Sequence, residues 1–134
     1  MTKMGSIESA IRSGAIATLI DAVTLDDDPT SYNSDALDCS GFRKFLLYVA
    51  IDSTSTPTTL QLLVQFSDDA GTTWWTYKQG PFAALFWEDG DTATEINECF
   101  EGKCGGRLMR VRAVAVGSDG TKKFKVTAKV ELFN

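Results

Sequence analysis

The strongest constraint on the fold is an alternation of apolar and polar residues near the C-terminus, in KKFKVTAKVELF. The apolar side chains occupy every second position: Phe124, Val126, Ala128, Val130 and Leu132. Because successive side chains of a strand point to opposite faces of a sheet, this pattern predicts a strand with one buried and one solvated face.

Further segments predict strands as well. TLQLLVQF places Leu60, Leu62, Val64 and Phe66 on one face, and RLMRVRAVAVG alternates in the same way. FRKFLLYVAID is apolar on both faces from Phe45 to Ile51, which predicts a central strand covered on both sides, with a neighbouring subunit as one candidate for the second cover. Weaker strand candidates are AIATLIDAVTL, SDALDC, TWWTYK, FAALFWE and ATEINEC.

Turn sequences such as DDDPTSYNS, DSTSTPT, EDGD and GSDGT separate these segments at short intervals. Eight or nine short strands with no long helix predict an all-β chain: a single antiparallel β-sandwich, of jelly-roll type with about eight strands. We expect one domain over residues 15–134. Residues 1–14 are expected to be an N-terminal arm that docks on a neighbour, with a merely frayed terminus as the alternative.

The chain has 134 residues, a net charge of −5 and no histidine. It therefore lacks the commonest general base and the commonest zinc ligand, and its acidic balance disfavours a nucleic-acid surface. The acidic groups Asp26 to Asp28, Asp68 with Asp69, and Glu88 with Asp91 lie in turn-like sequence, which favours turn chemistry over a calcium site or catalysis. We expect no enzyme activity, no cofactor and no metal.

The longest apolar runs and the first fourteen residues bear on where in the cell the protein is expected. No run approaches the roughly eighteen apolar residues of a membrane span, so we expect no membrane partner. MTKMGSIESAIRSG has no apolar core of a secretory signal, so the protein is expected to be made and kept in the cytoplasm.

The three cysteines allow two interpretations. Cys99 and Cys104 flank FEGK and could meet across a tight turn as a disulfide, which would leave Cys39 unpaired. An odd number of cysteines in a chain with no export signal instead favours reduced, structural thiols.

One short motif, SDDAGTTW, resembles the Asp box of sialidase-like propellers, where the box is structural and lies away from the catalytic centre. Here it occurs once, so we interpret Ser67, Asp69, Gly71 and Thr73 as the turn of a hairpin. Asp69 is expected to accept turn hydrogen bonds and Gly71 to supply a positive φ, with the Trp74 indole over the turn.

A broader resemblance covers about residues 37 to 133. The order LDCSGFRKFLLYVAID, LQLLVQFSDDAGTTWW, LMRVRAVAVG and KFKVTAKVELF resembles small β-sandwich proteins of tailed-bacteriophage virions. The resemblance implies a head-decoration or other accessory virion protein, made in the host cytoplasm, that binds the major capsid protein or another shell component. This chain departs from the pattern in its cysteines and in GPFAALFWEDG.

Aromatic residues mark the candidate interface. Trp74 and Trp75 are adjacent in a predicted strand, so they cannot both enter one core. The candidate interface residues are Trp74, Trp75, Phe82, Phe86 and Trp87. Ordinary core packing is one alternative, and a carbohydrate-binding surface built on Trp74, Trp75 or Trp87, with a glycan as partner, is another. The apolar surplus also predicts a homo-oligomer, with a trimer as the expected state.

Overall fold

The computed structural model describes residues 16–27, 30–54, 59–83, 85–88, 94–118 and 123–134. The strands are β1 (Ala17–Leu25), β2 (Thr30–Asn33), β3 (Leu37–Asp38), β4 (Lys44–Thr54), β5 (Thr59–Ser67), β6 (Trp75–Thr76), β7 (Leu85–Glu88), β8 (Thr94–Lys103), β9 (Leu108–Val116) and β10 (Lys123–Phe133). A short 3₁₀ turn, Gly80–Ala83, lies between β6 and β7.

The strands form two antiparallel sheets. Sheet I has the order β1-β10-β4-β8, and sheet II has the order β2-β9-β5-β6, with β3 also paired to β9 and β7 also paired to β5. The short strands β2 and β3 share one edge of sheet II, and β6 and β7 share the other, so each sheet has four strand positions. The eight positions and their order are those of a jelly roll, which confirms the predicted all-β sandwich.

The core lies between the two sheets and follows from the alternation in each strand. In β10, every second residue from Phe124 to Leu132 is buried, as KKFKVTAKVELF predicts. The inward residues of β5 and β9 meet those of β10 and β4 across the sandwich, since stacked sheets pack through their inner faces.

Strand β4 is a central strand, paired with β10 on one side and β8 on the other. Its inward residues Phe45, Leu47, Val49 and Ile51 are buried in the core. Its outward residues from 46 to 50 are half-buried, and in the described part of the chain no second layer lies over them. Central placement is thus confirmed, and the cover predicted for the second apolar face of β4 stays a prediction.

The predicted arm, residues 1–14, lies outside the described residues. Each of the five weaker strand candidates contributes a strand: β1, β3, β6, β7 and β8, in the order in which they occur.

Candidate functional site

The hairpin turn between β5 and β6 is held by hydrogen bonds among its own residues. The buried Ser67 hydroxyl donates to Asp69 Oδ1 (2.8 Å) and accepts from the Gly71 amide (2.9 Å). The Thr73 amide donates to Asp69 Oδ1 (2.8 Å), and Gly71 has a φ of 88°. The four residues named from the motif therefore meet in one turn.

The charge of Asp69 is directed into this turn. The hydrogen bonds from the Thr73 amide and hydroxyl, followed by that from Ser67, lower the pKa of the Asp69 carboxyl to about 2. A carboxylate that accepts several hydrogen bonds is stabilised in its ionised form, so Asp69 remains charged and holds the turn together at neutral pH.

Trp74 covers the turn. A Cβ atom added to Gly71 would lie 3.6 Å from Trp74 Cζ2, so the indole already packs on that residue. The Arg110 guanidinium lies 4.4 Å from the centre of the Trp74 ring. Arg110 belongs to β9, which is the neighbour of β5 on the side opposite to β6. Trp74 is half-buried by these contacts, which leaves only part of the ring for a partner.

Trp75 is the most accessible of the candidate interface residues whose side chains are described. Its side chain is 65% exposed, and its backbone pairs with Phe66 at the edge of sheet II. Large aromatic side chains at this exposure are typical contact residues of protein interfaces.

Phe82 belongs to the core, so its prediction as an interface residue is wrong. It is 4% exposed, and its ring packs 5.3 Å from Phe45 and 5.2 Å from Tyr77, measured between ring centres. The short 3₁₀ turn carries it over the end of the sandwich, where Phe66 and Phe100 complete the aromatic cluster.

The remaining two interface candidates lie on β7. The backbones of Phe86 and Trp87 pair with Gln61 and Leu60 of β5. Their side chains lie outside the described part of the structure.

A shallow groove crosses the outer face of sheet I. It is lined by Tyr48 and Ala50 from β4, Cys99 from β8, Thr127 and Lys129 from β10, and Ile16, which is 54% exposed. The Tyr48 hydroxyl donates to Glu131 (3.0 Å), which orients the ring along the sheet. We call this surface, together with Leu46, the sheet I face. The sequence indicates this face only through the doubly apolar β4, because it is the strand order of the sheet that places Cys99 and Thr127 beside β4.

The predicted tight turn between Cys99 and Cys104 is wrong. FEGK is the last part of the extended strand β8, which continues to Lys103. Five residues of extended chain span about 16 Å, whereas the Cα atoms of a disulfide lie within about 7 Å of each other. Cys99 is exposed on the sheet I face, and Cys104 packs against the core next to Cys39. All three thiols are free in the structure.

The described residues also bear on metal sites and membrane-spanning helices. Among the described residues, no three Cys, Asp or Glu side chains are grouped so that they could hold a metal ion. Within the same ranges, the structure has no helix with the length and apolar character needed to cross a membrane.

Comparison with known proteins gives a fold relationship. No protein-family model matches the sequence, and no curated protein matches it. The fold is similar to that of a chain in the structure of infectious bursal disease virus Gx strain, with a TM-score of 0.51 and 10% sequence identity. The match covers 88% of this chain and 30% of that chain, so this chain spans less than a third of its structural neighbour. At this identity, what the two chains share is a β-sandwich fold.

Proposed function

We propose that this protein is a structural component of a virion: an accessory or decoration protein that forms a homo-oligomer and docks on the capsid or another shell component. The observation that carries the proposal is the row of half-buried apolar side chains that β4 presents on the sheet I face of a jelly-roll domain, where no other described element covers them. The fold likeness to a chain of a virus structure and the resemblance to phage virion proteins support the same role. The role is structural, so it requires no catalytic group.

The two surfaces have different parts in this proposal. On the sheet I face, β4 places half-buried Leu46, Tyr48 and Ala50 along the centre of the sheet. Apolar groups in such a position lose little entropy on association, since the sheet already fixes their backbone. We assign this face to contact between subunits and the exposed Trp75 edge to contact with the shell.

Light scattering coupled to gel filtration tests the subunit contact. The wild-type protein should be an oligomer at micromolar concentration, with a trimer as the expected state. Ala50→Arg places a charge in the centre of the sheet I face and should give a folded monomer, because burying an unpaired charge is costly. Val114→Arg is the matched control: Val114 is also half-buried and central, but it belongs to β9 on sheet II.

The expected outcome is dissociation by Ala50→Arg alone, with thermal melts showing that both variants fold. A monomeric wild-type protein, or an oligomer that only Val114→Arg dissociates, would contradict the assignment. Docking is measured separately by sedimentation with shells that lack the protein, where Trp75→Ser should weaken binding without changing the oligomer.

Carbohydrate binding is the second candidate function, and the exposure of Trp75 is the observation that favours it. Aromatic rings can stack on the apolar faces of sugars. Trp74 is already packed on Gly71 and Arg110, so such a site would depend on Trp75. A glycan array compared between wild type and Trp75→Ser tests it: binding that the variant loses supports this function, and an array without binding removes it.

A further inference from the structure

Two loops at one end of the sandwich lie side by side. Cys39 follows β3, and its amide donates a 2.8 Å hydrogen bond to the Arg107 carbonyl. Cys104 follows β8, and its amide donates a 2.9 Å hydrogen bond to the Arg43 carbonyl. These two bonds hold the segment 39–43 against the segment 104–107.

The thiols of the two cysteines meet between these segments. Cys39 is 1% exposed, and its thiol faces the carbonyl oxygens of Gly106 (3.1 Å) and Arg107 (3.4 Å). The thiol of Cys104, which is only partly buried, lies beside it. One thiol of the pair is therefore enclosed and the other can be reached from solvent.

We propose that Cys39 and Cys104 form a reversible disulfide when the protein meets a small-molecule disulfide such as oxidised glutathione. Cys99 takes no part in it, since it lies on the sheet I face and the extended end of β8 separates it from Cys104. This inference does not depend on the proposed virion role.

The chemistry is two thiol–disulfide exchanges. The Cys104 thiolate attacks one sulfur of oxidised glutathione, which forms a mixed disulfide and releases one glutathione thiolate. The Cys39 thiol then loses its proton to solvent and attacks the Cys104 sulfur, which releases the second glutathione. Two protein thiols are oxidised to one disulfide, and one glutathione disulfide is reduced to two thiols.

The environments of the two sulfurs favour this order. The neighbouring Cys39 thiol lowers the pKa of Cys104, whereas the same contact and burial raise the pKa of Cys39. The thiolate is the attacking species, so the accessible Cys104 reacts first and the enclosed Cys39 resolves the mixed disulfide.

The bond would join the loop after β3 to the loop after β8 and close a long stretch of chain that contains β4 to β8. A disulfide across a long loop restricts the unfolded chain and so stabilises the folded protein. We expect the oxidised protein to melt higher than the reduced protein by about 5 °C or more.

The experiment equilibrates the full chain with mixtures of oxidised and reduced glutathione, quenches it with acid and maps the peptides by mass spectrometry. A Cys39–Cys104 peptide pair should form, with Cys99 as the one remaining thiol after denaturation. Cys99→Ser should keep both the cross-link and the rise in melting temperature. Cys104→Ser should lose both, and its own oxidised and reduced samples provide the comparison.

Cys39→Ser gives a second readout, since it should trap glutathione on Cys104. Dominant cross-links through Cys99, within a chain or between chains, would overturn the proposal. So would three unmodified thiols in the wild-type protein after equilibration in excess oxidised glutathione.

Discussion

Arg110 and Trp74 tie the hairpin turn to the middle of sheet II. The Arg110 guanidinium carbon lies 4.4 Å from the centre of the Trp74 ring, and Arg110 Nε donates a 2.8 Å hydrogen bond to Gln65 Oε1. Gln65 is 8% exposed and in turn donates to the Thr76 hydroxyl (3.2 Å). Burial, and then repulsion from Arg112, lower the pKa of Arg110. This arrangement holds the tryptophan-bearing edge in a defined position beside the exposed Trp75.

Arg110→Ala should destabilise the protein by about 1–2 kcal/mol. It removes the cation–π contact and leaves the buried Gln65 carbonyl without its donor. Arg112→Ala is the matched control, because Arg112 bonds only to the exposed Asn33 in the hydrogen bonds described, and its loss should cost about half a kcal/mol or less. Urea denaturation measures the free energy of unfolding of both variants. Equal losses would show that the contacts of Arg110 with Gln65 and Trp74 add no stability beyond that of an exposed arginine.

Asp69→Asn should lower the melting temperature at pH 7, by an amount that shrinks in acid. Hydrogen bonds from Thr73 and Ser67 depress the pKa of Asp69 from 3.8 to about 2. A carboxyl with a depressed pKa stabilises the folded state when the pH is above its ordinary pKa. This contribution disappears as the pH falls from about 4 through 2. Asp68→Asn removes the same charge one position earlier and controls for net charge. A difference between wild type and Asp69→Asn that stays constant down to pH 2 would contradict this origin.

Two neighbouring substitutions in the turn should have opposite effects. Gly71 has a φ of 88° and Ala70 a φ of 61°, so both lie in the left-handed region that favours glycine. Gly71→Ala should destabilise the fold by about 1 kcal/mol or more, because an added Cβ has room beside Trp74 but strains the backbone. Ala70→Gly should stabilise it by about half a kcal/mol, since relief of strain exceeds the added freedom of the unfolded chain. Chemical denaturation of Gly71→Ala and Ala70→Gly measures the change in free energy of unfolding for each variant. A change of the same sign in both would contradict the role of backbone strain at these positions.

Gly102→Ala should destabilise the core by roughly 1–3 kcal/mol. Gly102 pairs with Phe45 across β8 and β4, and an added Cβ would lie 2.5 Å from Phe45 Cζ and 3.0 Å from Phe82 Cε2. Both rings are buried and cannot move aside cheaply. Lys103→Ala, at the next and exposed position, should change little.

A double mutant tests whether the clash with Phe45 is the cause. Phe45→Leu removes the atoms nearest the new methyl group, so Gly102→Ala should cost less in that background than in the wild type. An unchanged cost in the double-mutant cycle would assign the effect to the backbone of β8 instead.

The amino-acid sequence by itself determined the class of fold and the local turn. Alternation in β10, β5 and β9 selects strands with one buried face, because the side-chain period of a strand is two whatever its neighbours are. Ser67, Asp69, Gly71 and Thr73 act within seven positions of each other, so their hydrogen bonds depend on nothing remote.

Only the tertiary structure decided which residues face a partner and which meet inside. Phe82 lies in the short 3₁₀ turn between β6 and β7, and no alternation of apolar residues around it predicts burial. Its contact with Phe45 depends on the order of the strands. The proximity of Cys39 and Cys104, and the contact of Arg110 with Trp74, likewise join residues distant in the chain. Local propensity acts over a few residues, whereas these contacts depend on the jelly-roll connections that bring remote strands together.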